Sequence, residues 1–109
     1  MAGRIARGEV RLYRFPFPDK ERPVLILTRE NVIKLLSTVT IAPITSAMRG
    51  AQSEVVLDER DGMKKPCAVN LHNTGTVPQI RLGRRVAQLS PEKMNEVCAA
   101  LRFSLGCDF

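Results

Sequence analysis

The chain of 109 residues is short of several residue types that familiar chemistries need: it has one histidine, no tryptophan and three cysteines. With His72 as the sole histidine, any mechanism that uses two histidines as acid and base is excluded. Cys67, Cys98 and Cys107 are odd in number and show no CxxC spacing. That argues against a disulfide framework and for a reducing, cytoplasmic setting. Without a Cys/His cluster there is no basis for a structural zinc site. No apolar run approaches the roughly 20 residues of a spanning helix. The opening MAGRIARGEV is basic but lacks the apolar centre of a signal peptide, so neither membrane insertion nor secretion is expected. Aromatic residues make up 5% of the chain. Among them, Phe15 and Phe17 are candidates to stack on a base, with packing in the core or an interface as the plain alternative.

What the chain has is apolar bulk and positive charge. Hydrophobic residues form 44% of it, which suits one domain with one modest core. The net charge is +6 and the pI about 9.8. A surplus of that kind points to a polyanionic partner, nucleic acid before an anionic membrane surface. There is no repeat, linker or low-complexity block, so residues 1–109 read as a single domain.

Strand signals dominate. GEVRLYRFPF (Gly8–Phe17) is rich in β-formers and is ended by Pro16 and Pro18. PVLILT (Pro23–Thr28) follows; its run Val24–Leu27 reads as a strand buried on both faces. RENVIKLL (Arg29–Leu36) suits one or two helical turns. STVTIAPITS (Ser37–Ser46), SEVVL (Ser53–Leu57), CAVNL (Cys67–Leu71) and RRVAQL (Arg84–Leu89) are further strands, with a turn at DERDG (Asp58–Gly62). The end differs. Ser90 is placed to cap a helix that opens with Pro91 and Glu92. Met94, Val97, Cys98, Leu101 and Leu105 then keep the helical rhythm, and Gly106 suits its stop. The expected fold is mainly β, a small antiparallel sheet closed by a C-terminal helix.

One feature of the second strand is unusual. A charged knot, Asp19-Lys20-Glu21-Arg22, stands at its entrance. A solvated turn is the ordinary explanation. Register offers another. In an antiparallel hairpin, paired positions share a nearly constant sum. Thr28 opposite Val39 and Arg22 opposite Thr45 both sum to 67. Arg22 and Thr45 then meet at the open end of the hairpin, with Glu21 beside them and Ser46 and Arg49 just beyond.

The blocks ARGEVRLYRF, ERPVLILT, TVTIAPITS and LSPEKMNEVCAALRFSLG, in this order and spacing, resemble the MazF/PemK family of toxin endoribonucleases over nearly the whole chain. The resemblance implies a strongly curved, SH3-like antiparallel β-barrel of the CcdB/PemK type, with a C-terminal helix, assembled as a homodimer. It implies sequence-specific, metal-independent cleavage of single-stranded RNA (mRNA, with tRNA or rRNA as further targets), with no cofactor. A cognate antitoxin would hold the toxin inactive, and DNA would be met only through that antitoxin. The family's catalytic arginine falls on Arg22 and its catalytic threonine on Thr45. One position departs: where many members carry an aspartate in a block like VNLDNIQTI, this chain has VNLHNTGTV, with His72 in its place. An arginine that precedes it in some members is also absent, since Asn70 and Leu71 stand there. The groups that move the proton are therefore open.

Within that frame Arg22 would stabilise the phosphorane with its fork of donors, and Thr45 would orient the phosphate or the 2′-OH. Glu21, Ser46 and His72 are candidates for catalysis or its support. Arg49, Asn73, Thr74, Lys64, Lys65 and Arg81 are candidate RNA contacts, and Gly75 is placed to flex the loop that carries some of them. Arg4, Arg7, Arg11, Arg14, Arg84 and Arg85 are further phosphate-contact candidates. The acidic group Asp58, Glu59 and Asp61 falls in the expected turn, where solvation is the ordinary role, so no metal site is assigned. Two alternatives stand beside the nuclease: a CcdB-like gyrase-poisoning toxin, and a basic barrel that binds RNA without cutting it.

Overall fold

The computed structural model describes residues 4–16 and 18–107. Its strands are β1 (Glu9–Arg14), β2 (Glu21–Ile26), β3 (Thr38–Thr45), β4 (Glu54–Leu57), β5 (Cys67–Asn70), β6 (Gly75–Pro78) and β7 (Arg85–Gln88). A single helical turn, α1 (Glu30–Ile33), and the helix α2 (Pro91–Leu105) complete it. All pairings are antiparallel, in the order β4-β5-β3-β2-β1-β7, with β6 added along part of β3.

The curl of the sheet comes from β3. Its first half, Thr38–Ile41, pairs with β6, and its last two residues, Ile44 and Thr45, pair with β5. Pro43, which has no N–H to give to a ladder, sits just before the change of partner. A bulge between Val10 and Arg11, where β1 meets β7, adds twist at the far edge.

The run Val24–Leu27 is buried throughout, as a two-faced core strand should be. Alternation sends Val24 and Ile26 to one cluster, with Tyr13, Ile33, Val39, Ile41, Val77 and Leu82. Leu25 and Leu27 go to the other, with Leu57, Val69, Leu71 and Val97. The first cluster lies against α1 and the turn after β6; the second lies under α2.

Helix α2 begins and ends on the residues its sequence marks. The Ser90 hydroxyl accepts the Lys93 N–H at 3.1 Å, and Gly106 stops the helix in the left-handed region (φ 71°). Val97 and Ala100 are buried, with Met94 and Leu101 packed beside them. Leu105, expected in the same stripe, is instead 62% exposed. In the last turn Ser104 faces the sheet, donating its hydroxyl to the Leu71 carbonyl at 2.8 Å, which turns Leu105 to solvent.

Three further expectations are corrected. The first strand ends at Arg14 rather than running on to Phe17, which itself lies outside the described residues. Strand β6 was not expected, because Gly75 and Pro78 make it a poor strand by composition. It forms because β3 is eight residues long and offers a free ladder edge from Thr38 to Ile41. Gly75 is therefore a paired residue opposite Ile41, not a hinge in a loop. The acidic turn forms where the sequence places it, as a short 3-10 segment, Glu59–Asp61, closed by a capping box between Asp58 and Asp61. No described helix is long and apolar enough to cross a membrane.

Candidate active site

Strands β2 and β3 pair Val24 with Pro43, Leu25 with Ala42 and Ile26 with Ile41. Every pair sums to 67, the register expected from the sequence. Carried two residues further, it brings Arg22 and Thr45 to one rim of the sheet. Two pockets meet at that rim. The first, about 600 Å³, is lined by Phe15, Asp19, Arg22, Pro43, Thr45, Ala47, Arg49, Glu54, Asn70, His72 and Asn73. The second, about 540 Å³, again includes Arg22, Thr45 and Ala47 and adds Leu12, Lys20, Glu21, Pro23, Ile44, Ser46, Met63, Lys64, Lys65, Cys67, Arg84 and Val86.

The charged knot has a structural answer. The Nε and Nη2 of Arg22 both lie 3.0 Å from Asp19 Oδ1. The Lys20 N–H first, and the Arg22 guanidinium with it, hold the Asp19 carboxyl below its ordinary range, against an opposing push from burial. Arg22 is thus aimed by one carboxylate while its remaining N–H groups face the pockets. Across the rim, Thr45 Oγ1 accepts the Ala47 N–H at 3.0 Å. The threonine oxygen is fixed as in a hydroxyl turn, and its own hydrogen remains free to donate.

The other wall comes from the β4–β5 pair, where Glu54 stands opposite Asn70. The Glu54 carboxylate accepts the N–H groups of Arg49 (3.0 Å), Gly50 (2.9 Å) and Ala51 (3.3 Å), tying down the loop that carries Arg49. Burial pushes this carboxyl up, but the three donors and nearby His72 outweigh it, so its titration is shifted down. The His72 backbone N–H donates to Asn70 Oδ1 at 3.1 Å, and its Nδ1 is hydrogen-bonded to the hydroxyl of buried Ser53. In either tautomer Nε2 has no protein partner among the described residues.

The structure therefore gathers Arg22, Thr45, Arg49, His72 and Asn73 around the first pocket, and places Glu21, Ser46, Lys64 and Lys65 in the second. Thr74 lines neither. Arg81 lies in a 3-10 turn beyond β6, whose Pro78 pairs with Thr38 at the other end of β3. That is about 20 Å along the strand from Thr45. Phe15 lines the first pocket and packs edge-on against Tyr13, with ring centroids 4.9 Å apart. Two arginines suggested as phosphate contacts are occupied within the protein. Arg11 is buried, with Nε 2.9 Å from Glu9 and further bonds to the Gly83 and Arg4 carbonyls. Arg7 donates to the Leu27 carbonyl and to Cys98 Sγ.

Sequence reasoning missed Ser53, Glu54 and Asn70. The signal was a second antiparallel pairing: SEVVL against CAVN places Glu54 opposite Asn70, beside His72. Among the described residues no three His, Cys, Asp or Glu side chains gather where they could hold a metal ion.

Fold and site together define a small basic half-barrel with an anion-facing rim. The family described as PemK-like, MazF-like toxin of type II toxin-antitoxin system matches residues 6–105. Endoribonuclease MazF3 of Mycobacterium tuberculosis is 49% identical over 71 residues, 65% of this chain and 69% of that protein. Probable endoribonuclease MazF2 of the same organism is 37% identical over 102 residues, 93% of this chain and 98% of its own length. Among solved structures, Mycobacterium tuberculosis toxin MazF-mt6 superposes with a TM-score of 0.85 at 37% identity, covering 93% of this chain and 99% of that one. An endoribonuclease from a mycobacterial species, solved with its cognate antitoxin, shares the fold with a TM-score of 0.86 at 23% identity, over 97% of this chain and 99% of that one. The chain belongs to the PemK-like, MazF-like toxin family of type II toxin-antitoxin systems.

Proposed function

We propose that the protein is an endoribonuclease toxin that cuts single-stranded RNA, mRNA above all, at the rim between Arg22 and Thr45. The supporting observation is that these two side chains, distant in sequence, both line both pockets at one strand end. In the proposed reaction the substrate's 2′-OH attacks the adjacent phosphorus and the P–O5′ bond breaks. The products are a 2′,3′-cyclic phosphate and a 5′-hydroxyl. The free N–H groups of Arg22 and the hydroxyl of Thr45 stabilise the charge that builds on the phosphorane oxygens. His72 Nε2 takes the 2′-OH proton, water protonates the leaving 5′-oxygen, and the hydroxide this leaves takes the proton back from His72, restoring water and the neutral imidazole. The two carboxylates of the first pocket, Asp19 and Glu54, already accept donors that hold them ionised, so both are weak proton acceptors. No step in this scheme uses a metal ion.

The reading includes a cytoplasmic, single-domain toxin held inactive by a cognate antitoxin. A flexible acidic segment with apolar anchors would suit a protein of net charge +6 and compete with RNA at the rim. It also includes a homodimer, for which Leu35 (74% exposed) and Ile80 (81% exposed) supply unburied apolar surface. The deciding experiment incubates purified protein with a defined single-stranded RNA in EDTA and sequences the ends. Cleavage with cyclic phosphate termini supports the proposal. Binding without cleavage supports an RNA-binding barrel, and neither, with gyrase inhibition, supports a CcdB-like poison.

A further inference from the structure

The two pockets that meet at Arg22 and Thr45 differ in chemistry. The first presents hydrogen-bonding side chains suited to base edges, Asn70, His72 and Asn73, together with Arg49. The second has an aliphatic floor, Leu12, Ile44, Met63 and Val86. Its cations beyond the shared Arg22 are Lys20, Lys64, Lys65 and Arg84, against one carboxylate, Glu21. It has no amide or imidazole side chain. An apolar floor within a cationic rim fits a planar base and its flanking phosphate, and its volume of about 540 Å³ is ample for one nucleotide. Its continuity with the rim makes the RNA chain the occupant that the charge pattern favours.

We propose that the second pocket is a sequence-tolerant nucleotide subsite. The nucleoside on one side of the scissile phosphate rests on the aliphatic floor, and the next phosphate is held by Lys64, Lys65 and Arg84. The nucleotides on the other side of the cut are read in the first pocket. Sequence preference is then one-sided about the cleaved bond. The inference rests on the endoribonuclease reading, and its test separates the two.

The test uses a randomised single-stranded RNA library with end sequencing, and anisotropy with an RNA blocked by a 2′-O-methyl group at the cut. The variants are the Lys64→Ala/Lys65→Ala double substitution and Asn73→Ala. All three positions are exposed, and exposed substitutions rarely unfold a protein. In the wild type, base preference is expected on one side of the cut only. The lysine variant should bind the blocked RNA roughly tenfold more weakly, with a salt dependence lower by about 0.7 per lost phosphate contact, and keep the same cleavage motif. Asn73→Ala should relax the motif. Equal preference on both sides overturns the proposal, as does a changed motif in the lysine variant. So does an unchanged affinity and salt slope in that variant, including the case where it loses only an acidic peptide ligand. If the wild type binds through Lys64 and Lys65 but cuts nothing, the endoribonuclease reading fails, and with it the one-sided cut.

Discussion

The two ends of β3 are each tied down by one polar side chain that gathers three backbone groups, with opposite polarity. At the Thr38 end, Gln79 Nε2 lies 2.9 Å from the carbonyl oxygens of Ile33, Leu36 and Thr38. At the Thr45 end, the Glu54 carboxylate collects the N–H groups of Arg49, Gly50 and Ala51. The topological task is the same: a loop must be closed onto a strand end without leaving backbone groups unpaired. The neutral amide does it beside the apolar cluster of Ile33, Val39 and Val77, where a charge would be costly. The carboxylate does it in an open pocket with Arg22 and Arg49. Because the carboxylate takes up the backbone donors of the loop, the cationic side chains remain for a ligand. One end is built to be closed, the other to be occupied.

Substitutions at the two ends should separate activity from stability. The largest effect is expected at the open end. Arg22→Ala and Thr45→Ala should each lower RNA cleavage about 100- to 1000-fold while circular dichroism and melting stay near wild type. Near-normal cleavage by a folded Arg22→Ala protein would remove the rim from the chemistry. At the closed end, Gln79→Ala should cost about 1–3 kcal/mol in urea unfolding by stranding carbonyls, with the cleavage rate unchanged where the protein is folded. A large loss of activity there would break the division of labour.

Glu54→Gln sharpens the contrast through pH. A carboxyl whose titration is shifted down in the folded state contributes stability above its unfolded value, and that contribution is lost as pH falls through the lowered folded value. Melting temperatures of wild type and variant should therefore differ near neutral pH and converge as pH drops below about 4, the ordinary glutamate range. A gap that stays constant down to about pH 3 would mean the charge is not what holds the loop. The smallest effect belongs to neither end. Leu105→Ser, on an exposed position of α2, should change stability by no more than about 0.5 kcal/mol. A larger loss, measured against protein concentration, would reveal Leu105 as buried in an assembly.

Much of this was readable from local pattern. The caps and periodicity of α2 act within a few residues of chain, so Ser90, Pro91 and Gly106 mark its ends correctly. The two-faced burial of Val24–Leu27 follows from four apolar residues in a strand. The convergence of Arg22 with Thr45 follows from a constant pairing sum. What resisted reading involved partners remote in sequence. Arg7 and Arg11 look like any surface arginines until Leu27, Cys98, Glu9 and Gly83 are brought to them. Arg81 looks like any RNA-facing cation until β6 carries it to the wrong end of β3.

By itself, then, the sequence determined the elements and the register of the central hairpin, because hydrophobic alternation, capping and antiparallel pairing are short-range or arithmetic constraints. It also determined that a cation and a hydroxyl would share a rim. Only the tertiary structure decided which charges were free to act. Whether an arginine is spent on a buried carbonyl or left for a phosphate depends on curvature, on the added strand β6 and on the β4–β5 pair that brings Ser53 and Glu54 to His72 and Arg49. Those arise from burying two hydrophobic clusters on opposite faces of one bent sheet, a condition on the whole chain that no segment states alone.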